Sequence, residues 1–229
     1  MVLPIERKKV SAVDLFTEKY SLLLKNIGIL PVICLKNQSE LETFVEAILK
    51  TNVKCVEITM RHPFSAEAVS YIKKKHPEIV VGAGTVNDLK KLDEAISCGA
   101  DYLVAPGTLD EILKKASEES VPFLPGCSTP SEIMKLNFMG YKTVKYFPAE
   151  CSGGTKALKL YEGAFADTMF LPTGGITADN FREYSACKNV LVCGGSFMIP
   201  KPMLESGNAE GIAKTISDLI MAFQEVRIK

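Results

Sequence analysis

The sequence predicts an α/β chain that closes into a (β/α)8 barrel of the TIM type, with an additional helix at its N-terminal end. Three observations carry that prediction. Short apolar runs rich in β-branched residues recur eight times, they alternate with longer stretches of helical periodicity, and the repeat spacing is roughly 20 to 30 residues. Strict alternation implies a parallel sheet, because each return to the same edge needs a crossover, and eight strands are the number that closes into a barrel. A doubly wound open sheet is the alternative that the pattern alone leaves. At 229 residues and 47% hydrophobic content, one such barrel accounts for the chain as a single domain.

The first element is a helix over residues 11–26, from Ser11 to Asn26, whose apolar set is Val13, Leu15, Phe16, Tyr20, Leu23 and Leu24. Residues 1–28 are expected to form an extension that plugs the N-terminal mouth, with residues 29–229 as the barrel. The eight strands are then predicted at Ile29–Leu35, Val53–Thr59, Ile79–Gly84, Tyr102–Ala105, Pro122–Leu124, Thr143–Phe147, Met169–Pro172 and Val190–Cys193. Between them, helical periodicity covers Glu40–Lys50, Ala66–Lys75, Asp88–Ser97, Leu109–Glu119, Pro130–Phe138 and Asn208–Val226, with Ser39, Ser65, Asn87 and Thr129 as capping residues.

Composition narrows the function classes. Lys plus Arg and Asp plus Glu both number 27, so no net charge draws the chain to nucleic acid or to an anionic membrane. No run of some 18 apolar residues is present, and Glu6, Arg7, Lys8 and Lys9 precede no apolar stretch of signal length, so a cytoplasmic location is expected. The 7 cysteines include no Cys-x-x-Cys pair, which points to reduced buried thiols rather than a disulfide frame. With only His62 and His76 in addition, a zinc site has poor material.

Chemistry in such a barrel belongs at the ends of the strands. The second strand runs out through Glu57-Ile58-Thr59-Met60-Arg61, and a side-chain period of two puts Glu57, Thr59 and Arg61 on the inner face. The sixth reads Thr143-Val144-Lys145-Tyr146-Phe147-Pro148, which by the same parity turns Thr143, Lys145 and Phe147 inward. Burial disfavours the charged form of an amine, and a neutral amine is the nucleophile that Schiff-base chemistry needs. Glu57 is the proton partner expected for Lys145; taken alone, it would also suit an ion pair that only fixes the barrel. Lys54 has the opposite parity to Glu57 and is expected at the outer layer or the bottom.

Glycine-rich strand ends complete the rim: Gly82-Ala83-Gly84-Thr85, Pro172-Thr173-Gly174-Gly175-Ile176 and Gly194-Gly195-Ser196. Loops after the seventh and eighth strands of a barrel often cradle a phosphate, through backbone N–H groups that glycine lets approach and through the dipole of a following helix.

Together with Pro125-Gly126-Cys127-Ser128-Thr129, these strand-end motifs resemble those of the bacterial 2-keto-3-deoxy-6-phosphogluconate aldolases, which overlap with the 4-hydroxy-2-oxoglutarate aldolases. The resemblance runs from about Ile29 to Pro200. It implies a class I aldolase, without metal or other cofactor, that cleaves a phosphorylated keto acid to pyruvate and glyceraldehyde 3-phosphate, and it implies a homotrimer. By motif position, Lys145 is similar to the family's Schiff-base lysine and Glu57 to its general acid/base. Arg61 and Thr85 resemble the pyruvate-carboxylate ligands, Phe147 the aromatic beside the imine, and Thr173 the residue that influences stereochemistry. Gly174, Gly175, Gly195 and Ser196 would hold the phosphate, and Pro106 is a further substrate-binding position.

Departures from the family pattern are His62-Pro63 after Arg61, Ala105 before Pro106-Gly107, and Phe197 in place of a frequent tryptophan. They bear on the selectivity for the substrate's tail. His62 is read as an exposed loop residue. Two alternatives stay open: an aldolase for the phosphogalactonate-derived epimer, and a barrel that binds a phosphosugar without aldolase chemistry. The latter would have no use for an inward lysine on the sixth strand.

Overall fold

The computed structural model describes residues 14–228; Ser11, Val13 and the charged residues Glu6 to Lys9 lie outside them. Nine strand segments alternate with ten helices among the described residues. In order they are α1 (Leu15–Ile27), β1 (Ile29–Ile33), α2 (Gln38–Leu49), β2 (Cys55–Thr59), α3 (Ser65–Lys75), β3 (Val80–Gly84), α4 (Leu89–Ser97), β4 (Tyr102–Val104) and α5 (Asp110–Glu118). There follow β5 (Phe123–Leu124), β6 (Gly126–Cys127), α6 (Pro130–Phe138), β7 (Thr143–Tyr146), α7 (Gly154–Ala164), β8 (Met169–Pro172), α8 (Phe181–Ser185), β9 (Cys193–Gly195), α9 (Lys201–Glu205) and α10 (Ala209–Ile228).

All named strand pairs are parallel, in the orders β5-β4-β3-β2-β1-β9 and β6-β7-β8. Two features join these into one ring. The fifth stave is β5 and β6 together: Pro125, which has no N–H for a ladder, separates a half that pairs with β4 from a half that pairs with β7. The Lys145 N–H donates to the Pro125 carbonyl across that break, at 2.8 Å. On the other side, a parallel bridge from Thr173 to Gly194 ties β8 to β9. Eight staves therefore close the barrel, and the open-sheet alternative falls.

The eighth stave departs from its expected span. The prediction was Val190–Cys193, whereas β9 is Cys193–Gly195. Its lower part leans on β8 through the Phe170–Val190 bridge, and only from Cys193 onward does it pair with β1. Capping also shifts: Asn37 and Asp88 cap α2 and α4 in place of Ser39 and Asn87, each accepting the N–H three residues on. Ser65 is the first residue of α3, and its hydroxyl donates to the Thr59 carbonyl instead. Thr129 does cap α6, in a reciprocal box with Glu132.

Two apolar layers follow from strand parity. Val56, Ile58, Val81, Ala83, Leu103 and Val144 face the helices, while Leu30, Cys55, Tyr102, Val104, Leu124 and Leu171 fill the lower barrel. Phe16 and Leu24 of α1 belong to the inner cluster and are fully buried. Phe16 meets Tyr102 edge to face at 5.2 Å, and the Thr17 hydroxyl donates to that of Thr143 at 2.8 Å. Of the seven cysteines, Cys55, Cys127, Cys187 and Cys193 are buried, Cys34 and Cys98 half-buried and Cys151 exposed, so the buried-thiol expectation holds for four. Among the described residues no helix is long and apolar enough to cross a membrane.

Candidate active site

β2 and β7 stand on opposite walls of the ring, four staves apart. Their inward side chains nevertheless meet in the barrel: Lys145 Nζ donates to Glu57 Oε1 at 3.1 Å and to Oε2 at 3.4 Å. Glu57 is 0% and Lys145 5% exposed. At such burial two opposite charges stay only because they face each other.

The walls around the pair are built to admit it. Glu57 lies in register with Gly82 on β3, and a Cβ at Gly84 would stand 2.1 Å from Glu57 Oε1, so glycine there is a requirement of the carboxylate's position. Tyr102 fills the space over Gly82, donating its hydroxyl to the Val56 carbonyl at 3.0 Å. Burial pushes the Cys55 thiol up to about 12 and the Tyr102 phenol well above its ordinary value. Both stay neutral around neutral pH, and the only ion-pair partner of Glu57 among the described residues is Lys145. The Lys145 ammonium also sits 5.7 Å from the centre of the Phe147 ring.

At the rim, Arg61 is exposed and its Nε donates to Thr59 Oγ1 at 3.1 Å. Thr59 thus aims the guanidinium, a positioning role that the sequence reading did not assign, although its parity placed it beside Arg61. Thr85 sits at φ 64, in the left-handed region that a β-branched residue enters at a cost of about 1–3 kcal/mol. Pro106 borders a cavity of about 220 Å³ with Thr108 and Val86, and its carbonyl occupies the space a Cβ on Gly126 would need. His62 is half-buried rather than exposed, because its Nδ1 accepts the Phe64 N–H at 3.2 Å and so closes the turn into α3.

Thr173 faces inward above Leu171, buried, with its hydroxyl meeting no partner among the described residues. Gly194 leaves room for it, since a Cβ there would stand 2.7 Å from Thr173 Oγ1. Gly174 and Gly175 take φ 95 and 81, which only glycine adopts readily. Ser196 and Arg61 line one cavity of about 660 Å³, with Cys34, Lys36, Phe197 and Lys201 among its walls. Lys145 and Glu57 lie outside that lining, deeper in the barrel.

One expectation needs correction. The dipole of a following helix was expected to assist the glycine loops. Instead, Thr177 to Asn180 form a turn before the five-residue α8, and a turn from Ser196 to Ile199 precedes the equally short α9. What the rim offers an anion there is backbone N–H groups. Those of Gly174, Gly175 and Ser196 donate to no backbone acceptor among the described residues.

Known proteins match this chain in both sequence and fold. A family model described as KDPG and KHG aldolase matches residues 21–215. The KHG/KDPG aldolase of Escherichia coli K12 is 38% identical over 84% of this chain and 90% of its own length. The 2-dehydro-3-deoxy-phosphogluconate aldolase of Pseudomonas aeruginosa is 35% identical over 92% and 96%. A crystal structure of KDPG aldolase from Legionella pneumophila, with pyruvate captured at low pH as a covalent carbinolamine intermediate, superposes with a TM-score of 0.80 at 30% identity, covering 88% of this chain and 96% of that one. The Zymomonas mobilis ZM4 2-keto-3-deoxy-6-phosphogluconate aldolase, solved with 3-phosphoglycerate, gives 0.77 at 30% identity, covering 86% and 95%. With most of its length matched by both sequence and structure, this chain belongs to the KDPG and KHG aldolase family of carbon–carbon lyases, which act through a Schiff base with pyruvate.

Proposed function

We propose that this protein cleaves 2-dehydro-3-deoxy-6-phosphogluconate to pyruvate and glyceraldehyde 3-phosphate, with Lys145 as the imine-forming residue and Glu57 as its proton partner. The observation that carries the assignment is the pairing of Nζ with the Glu57 carboxylate, 3.1 Å apart, inside the barrel. A proton passed from the ammonium to the carboxylate leaves a free electron pair on nitrogen, which attacks the substrate's C2 carbonyl. Glu57 then protonates the carbinolamine oxygen, water leaves, and an iminium remains on Lys145. Loss of the C4 hydroxyl proton to the carboxylate, through a water molecule, lets the C3–C4 electron pair flow into the iminium. The aldehyde departs and an enamine is left, and protonation at C3 followed by hydrolysis releases pyruvate and the free lysine.

The remaining residues bind and orient. Arg61 can grip the keto acid carboxylate bidentately, with Thr85, held in its left-handed conformation, as second ligand. Phe147 would stack beside the imine, Pro106 border the substrate, and the unpartnered Thr173 hydroxyl meet a substrate oxygen near the new stereocentre. Gly174, Gly175, Gly195 and Ser196 would receive the phosphate, whose binding energy positions the bond to be broken. Domain organisation follows the same reading: one barrel from residue 29 onward, with α1 closing its bottom, as the Phe16 and Thr17 contacts support. A homotrimer is part of the proposal. Met134 and Phe138, one turn apart on α6 and 62% and 89% exposed, offer a face to another copy, and mass in solution tests it.

The decisive experiment is to incubate the protein with pyruvate, reduce with borohydride and map the modified peptide. An adduct on Lys145 is the expected result; an adduct elsewhere moves the imine to that residue, and no adduct returns the field to a phosphosugar-binding barrel without aldolase chemistry. Ser196→Ala is expected to raise KM about tenfold for the phosphorylated substrate, leaving 4-hydroxy-2-oxoglutarate cleavage near its starting value. Equal losses on both would remove Ser196 from the phosphate site. Cleavage of 4-hydroxy-2-oxoglutarate to pyruvate and glyoxylate is a second reading, supported by the double name of the Escherichia coli relative. Assays with the galactonate-derived epimer decide between the phosphorylated substrates.

A further inference from the structure

The loop that follows β8 is stitched along one side. Its three consecutive carbonyls all have donors: Ala149 N–H to the Thr173 carbonyl at 2.9 Å, Glu150 N–H to that of Gly174 at 3.1 Å, and Asn180 Nδ2 to that of Gly175 at 3.0 Å. Within a trans peptide the carbonyl points opposite to the N–H of the next residue, so the held carbonyls of Thr173, Gly174 and Gly175 turn the N–H groups of Gly174, Gly175 and Ile176 the other way, and none of these three has a backbone acceptor among the described residues. The direction in which these N–H groups point is thus decided by what holds the carbonyls.

Two of the three donors are backbone atoms of the segment after β7, which no side-chain change removes. The third is the Asn180 amide, and its orientation is over-determined. Nδ2 donates both to the Gly175 carbonyl and to Glu150 Oε2, the latter at 3.0 Å, while Oδ1 accepts the Thr177 N–H at 2.8 Å. Glu150 Oε2 also accepts the Tyr184 hydroxyl at 2.8 Å, which fixes the carboxylate from its far side. A Cβ on Gly175 would lie 2.5 Å from Glu150 Cβ, so the Glu150 stem is pressed directly beneath the loop. A flipped amide would set Oδ1 against both a carboxylate and a carbonyl, neither of which has a proton to give it.

We infer that Asn180, clamped by Glu150 and Tyr184, is a positioning residue that turns the Gly175–Ile176 peptide so that the Ile176 N–H joins those of Gly174 and Gly175 in facing the substrate's phosphate. The inference rests on the phosphate assignment made above for Gly174 and Gly175. It adds three residues that touch no substrate: Asn180 holds the carbonyl side, Glu150 orients Asn180, and Tyr184 steadies Glu150. It also ties the phosphate loop to the segment that leaves the imine strand, through the Ala149 and Glu150 N–H groups.

Asn180→Asp is the sharpest test, because it replaces the Nδ2 donor with an oxygen of the same shape, facing two acceptors. KM for the phosphorylated keto acid is expected to rise about tenfold, while the rate of borohydride trapping with pyruvate, which carries no phosphate, stays within about twofold. Glu150→Ala should show the same split at about half that size on a logarithmic scale, and Glu150→Gln, which keeps an acceptor oxygen, should recover most of it. Thermal melting of each variant checks that the barrel is intact. Equal loss of pyruvate trapping and phosphorylated-substrate cleavage, in variants that still melt cooperatively, would overturn the inference, as would an unchanged KM in Asn180→Asp. Ser196→Ala run in parallel separates the two claims: if it discriminates by phosphate and Asn180→Asp does not, only the positioning role fails. If neither discriminates, the phosphate assignment itself fails.

Discussion

Replacing Lys145 with methionine is expected to abolish turnover, by about 10⁴-fold or more, and with it all trapping by borohydride. Methionine keeps the length and the apolar stem but has no nitrogen to attack the carbonyl, so no iminium forms and the C3–C4 electrons have no sink. A stability effect comes with it. Glu57, 0% exposed, has no other ion-pair partner among the described residues, and an uncompensated buried charge costs about 3–5 kcal/mol unless it takes up a proton. The single variant should therefore melt below the parent, and a Lys145→Met, Glu57→Gln double variant should melt higher than the single one while staying inactive. Residual turnover within a hundredfold of the parent would move the imine to another residue. A double variant no more stable than Lys145→Met would instead remove the ion pair from the account of the fold.

Glu57→Gln has the next largest effect. The amide has nearly the same shape, so it can still lie beside Gly84 and reach Lys145, but it cannot take up a proton and return it. Loss of a positioned acid/base group lowers rates by about 10² to 10⁴, or about 3 to 5 kcal/mol in the barrier. Imine formation, enamine formation and hydrolysis each move a proton at this position, so the loss should fall on kcat more than on KM. Slow but measurable trapping of pyruvate on Lys145 distinguishes this variant from Lys145→Met. A kcat within tenfold of the parent would sink the proton role and leave Glu57 as a structural counter-ion.

The two predictions differ in how visible their basis was before the fold. That Lys145 and Glu57 point inward is a local property: side chains along a strand alternate, and each of these residues sits among neighbours whose outward members are apolar and pack on helices, as Val56, Ile58 and Val144 do. The strand-end motifs were legible for the same reason, and so was the number of staves. Less legible were elements without periodic or capping signals. α7 opens at Gly154 with no side-chain cap, and α8 and α9 are five residues each, too short for an apolar face to repeat. The break at Pro125 was also hidden, because the fifth strand was expected to end at Leu124, and nothing in the pattern showed that pairing would resume past the proline with a different neighbour.

By itself, then, the sequence determined eight parallel strands alternating with helices, the inner and outer face of the second and sixth staves, and the identity of the residues at the strand ends. Only the tertiary structure decided that a lysine and a glutamate 88 positions apart, on opposite walls, meet at 3.1 Å, that Thr85 takes φ 64, and that Glu150 and Asn180 hold carbonyls of the Thr173–Gly175 loop. The physical reason is the range of the constraint. Which way a side chain leaves its strand follows from the dihedral angles of a few residues, whereas the distance between two of them is set by the closure of the whole ring and by every side chain that shares its interior.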